Sequence, residues 1–151
     1  MIDTITHQGQ LLALILSHRF QEPGIHFFTP GDLSQQLAFM RHPVGKVIPS
    51  HVHNPVAREV HYTKEVLFIK FGQVRVDFYD DDQTYLESRV LVQGDVLLLA
   101  FGGHGFEMLE PTEMIEVKQG ATSPLFVRMR SEYPTTYQTA PKQRSCDWGS
   151  R

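Results

Sequence analysis

The sequence predicts a mainly β protein, a sandwich or barrel of short antiparallel strands. Three observations predict it. From Gln36 onward, short apolar runs recur about every ten residues, the spacing expected of such folds. Proline, glycine and aspartate punctuate the gaps between the runs. One run alternates strictly: Val74, Val76 and Phe78 belong to one face, Arg75, Asp77 and Tyr79 to the other. Period two of this kind sets a core side against a water side.

The 151 residues allow one domain with a real core. With 41% apolar and 21% charged residues, the composition is that of a soluble globular chain. The net charge is −3 and the basic residues are scattered, which argues against a nucleic acid or an anionic membrane as partner. Cys146 is the single cysteine, so no intramolecular disulfide and no multi-cysteine zinc site can form. The apolar run LLALILS is too short to span a bilayer and has no basic stretch before it, so the cytoplasm is the expected location.

In chain order, residues 7–19 read as a short helix, with Leu11, Leu14, Ile15 and His18 at helical spacing and Thr6 as cap. A buried strand over 11–16 is the alternative. Pro23-Gly24 ends this N-terminal segment, residues 1–24. A short strand follows over 25–28. Further strands are expected over 36–42, 45–49, 51–53, 59–62, 65–71, 73–79, 85–92, 95–100, 105–109, 113–118 and 125–129. The polar turn at 80–83 makes 73–92 a hairpin. The β body runs over 25–130. The tail, 131–151, is poor in aliphatics and reads as extended or partly disordered.

Three histidines and a carboxylate carry the candidate chemistry. His51 and His53 are two apart, so in a strand both imidazoles share a face. Glu65 opens the run EVLFIKF in phase with Leu67, Ile69 and Phe71, and an inward carboxylate needs a cation. His104 sits in the glycine-rich turn FGGHG. Taken singly, each has a plainer reading: two surface histidines, a strand-edge glutamate, a turn histidine. Together they form a ligand set suited to one divalent transition ion, Fe, Mn, Ni, Zn or Cu. Four protein ligands on a six-coordinate ion leave two positions for water, oxygen or substrate. By the same phase, Phe106 and Met108 accompany His104 as an apolar wall. In residues 114–118 the polar phase, Glu116 and Lys118, either lines the mouth of the body or faces solvent, the commoner outcome.

The spacing Gly45-x5-His51-x-His53, then Glu65-x6-Gly72, resembles the first motif of the cupin superfamily, G-x5-H-x-H-x(3,4)-E-x6-G. Gly94-x5-Ala100-Phe101-Gly102-Gly103-His104 resembles the second, G-x5-P-x-G-x2-H-x3-N. Eleven residues, 54–64, separate His53 from Glu65, so this stretch is an insertion. It carries Glu59 and His61 as rival ligands. In the second motif Ala100 replaces Pro, Met108 replaces Asn, and one residue is missing before His104.

The resemblance implies a conical jelly-roll β-barrel with a metal near one mouth, and a homodimer. Residues 74–80 and 103–120 look like small single-domain bacterial cupins linked to sugar-nucleotide or polysaccharide pathways. The expected function is a metal-dependent oxygenase or isomerase acting on a small polar molecule, with carbohydrates among the candidates. The alternatives are a non-catalytic binding cupin and a metal-free sugar-nucleotide isomerase or epimerase.

Overall fold

The computed structural model describes residues 1–57 and 59–120. The described residues belong to one compact unit. The described residues form ten strands: β1 (Ile2–His7), β2 (Gln10–Leu16), β3 (Gly24–Phe27), β4 (Ala38–Arg41), β5 (Glu65–Phe71), β6 (Gln73–Tyr79), β7 (Tyr85–Val92), β8 (Val96–Leu99), β9 (Gly103–Met108) and β10 (Glu113–Lys118). All ladders are antiparallel. They make a five-stranded sheet in the order β1-β2-β8-β5-β10, a three-stranded sheet β7-β6-β9 and the hairpin β3-β4. The expected strand over 125–129 and the tail lie outside the described residues. Among the described residues no helix is long and apolar enough to cross a membrane.

The N-terminal helix does not form; residues 2–16 are the β1–β2 hairpin. Its two-residue turn, Gln8-Gly9, has positive φ at both positions, 50° and 79°, which matches the twist of the flanking strands. The run LLALIL mimicked helical spacing because it is apolar throughout. A strand buried on both faces needs that continuity. Ala13 and Ile15 enter the core, while Leu14 and Leu16 are buried on the opposite face. The bulge opposite Ile5 and Thr6 lets Leu12 join the core as well.

One core unites the two larger sheets. Ile5, Ala13, Ile15, Leu67, Ile69, Leu97 and Leu99 from the five-stranded sheet meet Val74, Val76, Phe78 and Leu91 from the three-stranded one. The alternation read from residues 74–79 holds along β6.

Other expectations need correction. Residues 45–49, 51–53 and 59–62 form no strand among their described positions. Pro43, Pro49 and Pro55 cannot donate to a ladder, and the apolar residues between them are only Val44, Val47, Ile48 and Val52. His104 lies inside β9, one residue past its start, and not in a turn.

Two local features fix how the strands meet. Asp95 is buried at the start of β8. Its Oδ1 accepts from the His18 N–H at 2.8 Å and lies 2.8 Å from His18 Nδ1, while its Oδ2 accepts from the Val92 N–H at 3.0 Å. It thereby ties the end of β2 to the β7–β8 turn. Gly72 joins β5 to β6 at φ 86°, and a Cβ there would strike the Pro111 carbonyl and lie 2.8 Å from Thr112 Cα.

Asp95→Ala is therefore expected to destabilise the fold by about 2 kcal/mol in urea titration, since it removes the acceptor of the part-buried His18 and Val92 N–H groups. Gly72→Ala is expected to cost roughly 3 kcal/mol or more, whereas Gly9→Ala, with φ positive but open space around it, costs about 1. Equal costs for the two glycines would show that the clash with residues 111–112 relaxes.

Candidate functional site: a polar seam between two sheet edges

The edge strand of each larger sheet supplies the site. In an antiparallel ladder, directly opposed residues share a face. On β9, His104 is opposite Phe78, Phe106 opposite Val76, and Met108 opposite Val74. All three partners are core residues, so His104, Phe106 and Met108 lie on the inner face, as their phase predicts. On β10, Lys118 is opposite Glu65, Glu116 opposite Leu67, and Met114 opposite Ile69. The polar phase of β10 is therefore the inner one. Its apolar phase is turned outward, leaving Ile115 52% and Val117 58% exposed. The ordinary arrangement is the reverse.

The inner face stays partly open here, with Phe106 36% and Met108 48% exposed. This opening lets charged groups sit on a core-facing register. Glu65 Oε2 lies 3.4 Å from His104 Nε2, a contact between β5 and β9 that crosses from one sheet to the other. Glu65 Oε1 lies 3.6 Å from Lys118 Nζ. Lys118 also contacts Glu116 Oε1 at 2.5 Å. The seam thus holds a cationic amine between two carboxylates, with an imidazole against the deeper one. The His104 and Phe106 rings are neighbours, 5.3 Å between centroids.

The electrostatics follow from these contacts. The contact with His104 is the largest influence on the Glu65 carboxyl and holds it below its ordinary 4.5; burial opposes this, and Lys118 adds to it. The Lys118 ammonium is raised, first by its hydrogen bond to Glu116 and further by Glu65.

The remaining candidates lie elsewhere. His51 and His53 are exposed on the segment between β4 and β5. Their rings are 5.2 Å apart, and His51 Nδ1–H donates to the Pro49 carbonyl at 3.0 Å. The rivals Glu59 and His61 pair with each other at 3.7 Å on the surface. Among the described residues, no three His, Cys, Asp or Glu side chains converge as a group that could hold a metal ion. The four candidate ligands stand as two pairs, His51 with His53 and Glu65 with His104. As placed, this donor set does not fit a single ion.

Sequence reasoning named Lys118 but not its bond to Glu65. The signal was the i, j register of β5 with β10, which no single-strand pattern contains. It also missed Tyr62, whose ring stands edge-on to Phe101 with 4.7 Å between centroids.

The fold and seam define a class: an antiparallel two-sheet β protein with a charged cluster where its sheet edges face each other. Compared with protein-family models, curated proteins and solved structures, the chain finds no match.

A depressed carboxyl stabilises the fold above its unfolded pKa, and that stability is lost as pH falls through the folded value. Glu65→Gln is thus expected to be less stable than wild type above about pH 5, with the gap closing on acidification. Urea midpoints measured from pH 7 to pH 3 check this; a gap constant with pH would mean that the carboxylate charge is not what matters.

Proposed function

We propose that this chain is a cupin-like jelly-roll protein whose seam binds a small polar molecule, a carbohydrate among the candidates, and moves a proton on it. The observation that carries this reading is the Glu65–His104 contact with Lys118 beside it. A carboxylate on Nε2 fixes the neutral imidazole as the Nε2–H tautomer, leaving Nδ1 as proton acceptor. His104 is then the acid–base group and Glu65 the residue that orients it. Removing a proton beside a carbonyl builds negative charge on oxygen, and the Lys118 ammonium is the cation at hand to stabilise it. Glu116 holds that ammonium in place. Phe106 and Met108 offer an apolar surface to the non-polar side of the ligand. This chemistry is that of an isomerase or epimerase.

A second reading, a metal-assisted oxygenase or isomerase, has one observation of its own. The His51 and His53 rings already lie side by side, as two ligands of one Fe, Mn, Ni, Zn or Cu ion must. It requires that pair to join Glu65 and His104.

Solvent-deuterium exchange, followed by NMR over a panel of sugars and hydroxy-carbonyl compounds, tests both. Under the first reading, exchange falls at least ~100-fold in His104→Ala and about tenfold in Glu65→Gln, and a chelator changes nothing. Under the second, a chelator abolishes activity, and elemental analysis of untagged protein finds about one metal per chain, lost in His51→Ala. Binding without exchange in every compound would leave a non-catalytic binding protein.

A further inference from the structure

Residues 44–57 leave β4 without forming a strand or helix beyond a turn at 44–45. A connection of this kind is ordinarily polar, since it runs through water. This one exposes Val44, Val47, Ile48, Val52 and Val56. The seam exposes a matching apolar surface, Phe106 and Met108. Two unmatched apolar surfaces on one chain are each unfavourable in water, and joining them relieves both.

The tether brings them within reach. Downstream of the segment, the Tyr62 ring packs on Phe101, two residues before β9. Lys64 is buried, and its carbonyl accepts from the Gln119 N–H at 3.4 Å, one residue past β10. These contacts anchor the segment at the end of the seam that holds His104 and Lys118. From Tyr62 back to Val52 the chain can extend ~33 Å. The six residues of β9 span only ~20 Å. Upstream, Arg41 Nη1 donates to the Gln21 carbonyl at 2.5 Å and holds the other end at β4.

We propose that residues 44–57 are a lid that closes over the seam between β9 and β10, laying Val47, Ile48 and Val52 on Phe106 and Met108. Closure removes water from around Glu65, His104 and Lys118, which strengthens every charge interaction among them. The purpose of the lid rests on the acid–base reading above; its closure does not, because apolar contact drives it without a ligand.

The test is a disulfide trap in a Cys146→Ser chain. Val52→Cys is paired with Met108→Cys, and as control with Val90→Cys, which is exposed on the outer face of β7 opposite Arg75. On mild oxidation of dilute protein, the lid pair should close an intramolecular disulfide at least tenfold faster than the control. Equal rates overturn the proposal. So does a disulfide that only links two chains, which would assign the apolar seam to a second copy. A separate measurement needs no engineered cysteine. Tyr62→Ala removes the anchor and should speed trypsin cleavage after Lys46 at least threefold, whereas an unchanged rate overturns the anchored lid. Neither experiment uses a ligand. A lid that closes in a protein without exchange activity is thereby distinguished from a failure of closure.

Discussion

Burial of β2 and β8 on both faces is the constraint on which the rest of the structure depends. Strands with apolar side chains on either side have no place for a charge. Leu97 and Leu99 face the shared core while Leu98 is buried behind them, and β2 repeats the pattern. Ionisable groups on an inward register are therefore confined to the margins of the sheets, where water still reaches. Glu65 opens β5 at such a margin, Lys118 closes β10 beside it, and His104 sits near the start of the other sheet's edge strand. The position of the polar cluster follows from where the leucines are.

The sequence made much of this legible. The strict alternation of β6 identified the core side of the three-stranded sheet, and the Glu65 phase was right because no irregularity interrupts residues 65–69. His104, Phe106 and Met108 followed from the same rule. What failed did so for physical reasons. A run that is apolar at every position has no period, so LLALIL could pass for a helix. Proline-bracketed valines looked like strands because β propensity ignores missing N–H donors. The segment carrying His51 and His53 lost its expected strands for that reason. The inward turn of Glu116 and Lys118 was the less expected outcome, since polar residues on an edge strand ordinarily face solvent.

The seam's charges are mutually dependent. Lys118 is shared between Glu116 and Glu65, and Glu65 between Lys118 and His104. Removing any one changes the partners available to the next, so single substitutions in the cluster will not add. Double substitutions are needed to assign a contribution to any pair. Glu116 is the most exposed of the acidic pair and the most screened by salt.

The register of β10 against β5 also sets an order of events. Lys118 reaches Glu65 only by closing a long loop of chain, through β6, β7, β8 and β9. Pairings of such separation form late, because their entropy must be lost before their contacts form. The β1–β2 and β6–β7 hairpins are local and can form as soon as they leave the ribosome. The charged cluster cannot. A nascent chain carries Glu65 and His104 before Lys118, the amine beside Glu65, has been synthesised, so the charged cluster is the last part of this body to be completed as it folds.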